Sequence, residues 1–331
     1  MKPIKFFLPI ILALLATSPS LAQNADSANY YLKLAQQDYQ AKDYQKAAQG
    51  YISALRHYPG YVAAVYNTAC CYSLLNNKAE AIKWLESAVE LGYYEFDRDP
   101  DMDNIRQTGK YKKLLSLAQK LNKDLEQKAG TPVVSLPQNY DSTKTYGLLV
   151  ALHGSGSEPN TILQNLAGVP QRLGYIAMAP YGTYAYGPDR FNWNTMEDSE
   201  QRVLETLKIA RARYHIDPSR IILFGFSLGG TVTYYAGTKN AGLFKGIIPV
   251  AGTYDSSMDQ FLPRSRENGL KVCIMFGDLD HETVVTSNQV ALKSFILSGV
   301  TASLTAYARL GHAYPTSWAQ DLQRAIEWVE K

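Results

Sequence analysis

The chain of 331 residues is long enough for two domains, and its 46% hydrophobic content supports a sizeable core. Its 33 basic and 30 acidic residues nearly cancel, with no basic patch or acidic tract, so neither nucleic acid nor an anionic membrane is an expected partner. Three cysteines, the adjacent Cys70 and Cys71 and the distant Cys273, match no metal-binding or disulfide framework and read as buried free thiols.

The first segment reads as a secretion leader over residues 1–22. Lys2 and Lys5 form a positive start, Phe6 to Ala16 is an apolar stretch too short to span a bilayer, and Ser20-Leu21-Ala22 offers small residues for cleavage after Ala22. No cysteine is placed to take a lipid. The mature chain is therefore expected to be periplasmic or secreted and free of the membrane, with an N-terminal anchor as the alternative. Removing the leader takes two lysines and no acids, leaving 31 basic against 30 acidic residues.

Residues 23–128 carry a different pattern. Ala47, Tyr51, Ala54 and Pro59 align with Ala81, Leu85, Ala88 and Tyr93 at a shift of 34 residues. Alanines and aromatics at that period resemble the tetratricopeptide family over some 70 residues, although Tyr93 stands where the family has proline. The resemblance implies two helical pairs, with turns at Asp43-Tyr44 and Asn76-Asn77-Lys78. A closing amphipathic helix is expected from Tyr111 to Gln127. About three repeats are needed to bury a continuous core, so the two are expected to pack on the rest of the chain, on a second copy or on a protein partner. Twelve of the 24 tyrosines lie between Tyr30 and Tyr111; they read as core in repeat positions or as the lining of a peptide or glycan groove.

After the linker Ala129-Gly130-Thr131-Pro132, residues 129–331 alternate strand-like apolar runs with helical stretches. Tyr146 to Leu152 is a strand running into the glycine-rich His153-Gly154-Ser155-Gly156-Ser157. That loop contains neither Gly-x-x-x-x-Gly-Lys-Ser/Thr nor Gly-x-Gly-x-x-Gly, so it is not read as a nucleotide cradle. The stretch from Tyr181 to Asn194, with Tyr184, Tyr186, Phe191 and Trp193, reads as a loop whose aromatics either wall an acyl site or pack beneath it. The strand Arg220 to Phe224 leads into Gly225-Phe226-Ser227-Leu228-Gly229-Gly230, with Thr231 to Ala236 continuing as a helix. Gly-x-Ser-x-Gly between strand and helix marks a nucleophile elbow: the turn lifts a serine out of the backbone and requires small neighbours two residues away on either side.

The remaining chemistry follows in the order serine, acid, histidine. Lys271 to Phe276 is a buried strand ending at Gly277-Asp278-Leu279-Asp280, and Ala302 to Tyr307 is a strand ending at Gly311-His312. His312 would take the Ser227 proton, and Asp280 would hold the imidazole tautomer. Asp278 and Glu282 remain alternative acids. His57 lies far upstream, His215 precedes the turn Asp217-Pro218, and His281 adjoins Asp280 too closely to face it. The oxyanion hole is expected from the N–H groups of Leu228 and Ser155.

These segments, together with Tyr214-His215-Ile216-Asp217-Pro218-Ser219-Arg220, resemble the α/β-hydrolases of the dienelactone-hydrolase, feruloyl-esterase and polyhydroxybutyrate-depolymerase group. The resemblance implies a mostly parallel sheet with helices on both faces and a Ser227, Asp280, His312 triad. It departs in the acid turn, where the family places valine or proline sooner than Asp280-His281-Glu282-Thr283-Val284 does. Only about twenty residues, Ala251 to Leu270, separate the strand Gly246 to Val250 from the next, too few for a large lid. The expected activity is hydrolysis of a small or polymer-borne carboxylic ester through an acyl-enzyme, with no cofactor and no metal. A serine peptidase of the same fold and a non-catalytic repeat scaffold are the competing readings.

Overall fold

Thirty-four residues separate the two turns that organise the helical N-terminal part of the computed structural model, which describes residues 19–187 and 190–331. The leader expected over 1–22 falls mostly on residues 1–18, outside those described. Helices α1 (Pro19–Gln40), α2 (Tyr44–His57), α3 (Val62–Leu74) and α4 (Lys78–Glu90) follow one another, each packed on the next. Lys42 and Asn76 take the left-handed conformation, at φ 63° and 57°, and break the chain before each repeat's second helix. Asp43 then accepts the Lys46 N–H at 3.2 Å, and Asn77 accepts the Glu80 N–H at 3.3 Å. The same capping chemistry thus recurs at the sequence period. Tyr31 of α1 stacks on His57 of α2, so that pair is antiparallel. Ala47, Ala54, Ala69, Ala81 and Ala88 are all buried where helices approach closely.

A 3₁₀ turn at Pro100–Met102 precedes α5 (Gly109–Ala129). Tyr51, Tyr66, Tyr94 and Tyr111 are buried in the helical core, whereas Tyr30 and Tyr58 are exposed. The chain divides into two compact units whose main boundary falls between Leu125 and Glu126, within the last turns of α5. Cys70, Cys71 and Cys273 are free and buried.

The second unit is built on a seven-stranded sheet. Its elements run β1 (Val133–Ser135), β2 (Tyr146–Leu152), α6 (Pro159–Asn165), α7 (Val169–Arg172) and β3 (Tyr175–Ala179). A small two-stranded sheet, β4 (Tyr184–Gly187) with β5 (Arg190–Asn192), follows where a plain loop was expected. Then come α8 (Met196–Arg213), β6 (Ile216–Phe226), α9 (Leu228–Lys239), β7 (Gly246–Val250), α10 (Leu262–Glu267), β8 (Lys271–Gly277), α11 (Glu282–Leu297), β9 (Thr301–Tyr307) and α12 (Trp318–Glu330).

The strand order is β1-β3-β2-β6-β7-β8-β9, antiparallel only at β1. β2 and β3 are buried throughout and the centre of β6 likewise, as apolar runs covered on both faces must be. The chain leaves β2 toward β3 on one side and toward β6 on the other. That reversal opens a crevice at the carboxyl ends of β2 and β6, where open α/β sheets gather ligands. The segment between β7 and β8 holds only a 3₁₀ stretch, Ser256–Phe261, and α10, both packed against α9.

Candidate active site

Every residue singled out by sequence for catalysis lies at the carboxyl edge of the parallel strands. Ser227 follows β6 at φ 56° and ψ −124°, a backbone conformation unfavourable for a side chain with a Cβ. Its N–H is held by the Val250 carbonyl of β7 at 2.8 Å, and its carbonyl accepts the Thr231 N–H at 3.1 Å. The elbow closes only because its flanks are bare. A Cβ on Gly225 would sit 2.1 Å from the Gly229 carbonyl oxygen, and one on Gly229 would sit 2.3 Å from that of Leu152. Both obstacles are backbone and cannot swing aside. Gly229→Ala is therefore expected to lower unfolding stability by about 3–5 kcal/mol, read as the shift of the urea midpoint, while Thr231→Ala on the same helix costs far less.

The imidazole of His312 joins serine to acid. Its Nε2 lies 2.8 Å from Ser227 Oγ, and its Nδ1 lies 2.9 Å and 2.8 Å from the two Asp280 oxygens. A carboxylate only accepts, so Nδ1 carries the ring proton and Nε2 is left to accept from the serine hydroxyl. The Asp280 side chain is 1% exposed and also accepts the His281 N–H at 2.6 Å. Asp278 turns the other way: it accepts the Arg309 N–H at 2.7 Å and ties the acid turn to the loop after β9. Those two turns are pressed together at Gly277, where a Cβ would meet the Leu310 oxygen at 2.1 Å. Glu282 lies in the first turn of α11, outside this chain of hydrogen bonds.

The other histidines are engaged elsewhere. His57 stacks on Tyr31, His215 is exposed at the opposite end of the sheet where its carbonyl accepts the Tyr146 N–H, and His281 caps α11 through Thr283.

Leu228 begins α9, so its N–H is one of the donors that a helix start leaves without an intrahelical acceptor. Ser155 lies in the turn after β2. That turn abuts the elbow, since a Cβ on Gly154 would be 3.2 Å from Ser227 Cβ. Among the described residues no backbone carbonyl engages either the Leu228 or the Ser155 N–H. The arrangement can present two donors to a developing oxyanion beside Ser227.

Sequence reading missed what holds that turn. His153 is fully buried; its Nδ1 lies 2.8 Å from the Gly154 oxygen, and its Nε2 accepts the Gly182 N–H at 3.0 Å. Trp193 donates Nε1–H to the His153 carbonyl at 2.8 Å. The Gly156 N–H is bound by the Phe191 carbonyl, and the Phe191 N–H by that of Ser157. Tyr181, Phe191 and Trp193 are buried, so these three aromatics pack beneath the turn and do not wall an acyl site. On the other side, Phe226 packs at a tilt against both His312 and Tyr314, and Tyr314 against Trp318, backing the imidazole with a run of rings.

Burial pushes the His153 pKa down from 6.5 to about 4. An unfolded chain takes up a proton below about 6.5 that the folded chain refuses until about 4. The contribution of neutral His153 is thus complete above pH 6.5 and is lost as pH falls between those values, amounting to roughly 3 kcal/mol. His153→Phe is expected to flatten the fall in melting temperature over that pH range. The same change should lower kcat by roughly 10–100-fold with KM little altered, because it releases the turn that holds Ser155, the candidate oxyanion donor.

Among the described residues, one group of potential metal ligands occurs in the helical unit, where Cys70 Sγ and carboxylate oxygens of Asp99 and Asp101 lie within 4.8 Å of one another. Those carboxylates already accept from the Tyr66 hydroxyl at 2.6 Å and from the Tyr39 hydroxyl. The cluster fastens the loop after α4 to α1 and α3.

Residues 190–331 match the Phospholipase/Carboxylesterase family. Among curated proteins, the chain is similar to the bifunctional acetylxylan esterase/xylanase XynS20E of Neocallimastix patriciarum, at 29% identity over 131 residues, 38% of this chain and 19% of that protein. It is also similar to the probable feruloyl esterase C of Aspergillus terreus, at 25% identity over 130 residues, 38% of this chain and 48% of that protein. The chain thus spans less than half the length of either relative. A crystal structure of an uncharacterized Bacillus cereus protein shares the fold with a TM-score of 0.53 at 17% identity, over 91% of this chain and 98% of that one.

Proposed function

Taking as premise that residues from Glu126 onward form an α/β-hydrolase domain, we propose that the chain is a serine carboxylesterase acting through Ser227, His312 and Asp280. The observation that carries this reading is the unbroken chain Ser227 Oγ, His312 Nε2, His312 Nδ1, Asp280, with contacts of 2.8–2.9 Å. Ser227 attacks the ester carbonyl while His312 Nε2 takes its proton; Asp280 stabilises the resulting imidazolium. The tetrahedral oxyanion is held by the N–H groups of Leu228 and Ser155. His312 then gives the proton to the leaving alkoxide, and water repeats the sequence to free the acid and restore the hydroxyl.

Substrates are carboxylic esters whose acyl group is carried on a small molecule or a polymer. The segment between β7 and β8, short and folded onto α9, supports an open, lidless site that admits bulky alcohols. Acetylxylan and feruloyl esters, the substrates named for the two relatives, are the first polymer-borne candidates. The protein acts outside the cytoplasm after loss of its leader; no helix of the described residues is long and apolar enough to cross a membrane. The N-terminal unit is a tetratricopeptide pair that supplies a protein-binding or self-associating surface.

Turnover of p-nitrophenyl esters of increasing acyl length, of methyl ferulate and of acetylated xylan, beside p-nitroanilides of the same acids, tests the reading. Esters are expected to be cleaved at least about 100-fold faster than anilides in kcat/KM. Anilides cleaved as well as esters would replace the esterase reading with a peptidase.

A further inference from the structure

The two edges of the large sheet are treated differently. β1 is three residues long and bracketed by Pro132 and Pro137, which blunt it against pairing with another chain. β9 is seven residues, Thr301-Ala302-Ser303-Leu304-Thr305-Ala306-Tyr307, without charge, proline or glycine. It pairs with β8 in unbroken register along its whole length, and no bulge twists it away. Thr301, Thr305 and Ala306 are exposed. Its outer row of backbone N–H and C=O groups therefore carries none of the usual protections of an edge strand.

The helix above this edge carries three apolar residues on the side that looks past it. α11 packs on β8 and β9 through Val284, Asn288, Ala291 and Phe295. One flank faces the 3₁₀ stretch Ser256–Phe261, where Ser294 Oγ donates to the exposed Asp259 at 3.3 Å. The opposite flank carries Val285, Gln289, Leu292 and Ile296, with Gln289 exposed. Val285 and Leu292 are half-buried, and Ile296 is 58% exposed.

We propose that this surface binds a second copy of the chain, with β9 pairing antiparallel to its counterpart about a twofold axis and the α11 flanks packing together. A twofold partner meets both features at once. Antiparallel pairing of identical strands places the axis normal to the sheet, so both α11 helices fall on the same face. Strands lie about 4.8 Å apart and α11 sits over the gap between β8 and β9. Its axis is then one strand spacing from the twofold, and the two helices come to rest about 10 Å apart, the distance at which helices pack. With Leu304 opposite Leu304 of the second copy, Ser303 faces Thr305, and Arg309 falls opposite Gly299, so no like charges meet. A strand from a different protein would cover the edge but leave the Ile296 flank bare.

Sedimentation equilibrium of the full chain, beside Thr305→Lys and Ile296→Lys, tests this. Both positions are exposed, so neither change should disturb the fold, and circular dichroism melting checks that. The wild type is expected at twice the chain mass, and each substitution is expected to raise the dimer Kd at least about 10-fold. A wild type that remains monomeric up to roughly 100 µM, or a dimer indifferent to both substitutions, overturns the proposal. A monomer that instead captures a peptide strand along β9 would assign the edge to a foreign partner, which also overturns it.

Discussion

Ser227→Ala is expected to lower kcat for a good ester substrate by about 10⁴–10⁶-fold, with KM changed by less than about 3-fold. Only Oγ is removed. The elbow's backbone, held by the Val250 carbonyl at 2.8 Å, and the donors at Leu228 and Ser155 stay where they are. Substrate binding therefore survives while the acyl-enzyme route is lost, and what remains is activation of water by the oxyanion donors. The melting temperature should not fall, because the strain at φ 56° comes from Cβ and alanine retains it. Steady-state kinetics with a p-nitrophenyl ester reads both constants.

The second large effect separates the two aspartates of the acid turn. Asp280→Asn is expected to cost about 10⁴-fold in kcat, because an amide can donate to Nδ1 and so stabilises the tautomer that carries its proton on Nε2. Nε2 could then no longer accept from Ser227. The lost charge would also leave the imidazolium without its partner beside a side chain that is 1% exposed. Asp278→Asn keeps an oxygen to accept the Arg309 N–H and should change kcat by less than about 3-fold. If the two substitutions acted in the reverse order, the acid would be misassigned.

Much of the second unit was legible because its signals are local. β2, β3, β7, β8 and the centre of β6 bury nearly every residue, which forces continuous apolar runs in the sequence. The elbow needs glycines at fixed offsets, and the histidine and acid follow strands whose ends converge through topology. The helical repeat was legible because Lys42–Asp43 and Asn76–Asn77 terminate and cap at the same period.

What was hidden depends on contacts between distant segments. Choosing between Asp278 and Asp280 requires the direction of a turn that is set by the approach of Leu310 to Gly277, more than thirty residues apart in sequence. His153 looked like part of a glycine-rich loop; its work depends on Gly182 and Trp193, brought back by the β4–β5 excursion. The aromatics of that excursion could not be divided between wall and packing without their burial. A spacing rule has no access to any of these.

Intact-mass analysis after treatment with a fluorophosphonate tests the central claim most directly, because it reads an activated serine without assuming a substrate. The wild type is expected to gain one adduct, displaced to a single labelled residue at Ser227 on peptide mapping, and Ser227→Ala to gain none. A folded wild type that remains unlabelled, or a Ser227→Ala variant that labels equally, would contradict an esterase built on this serine.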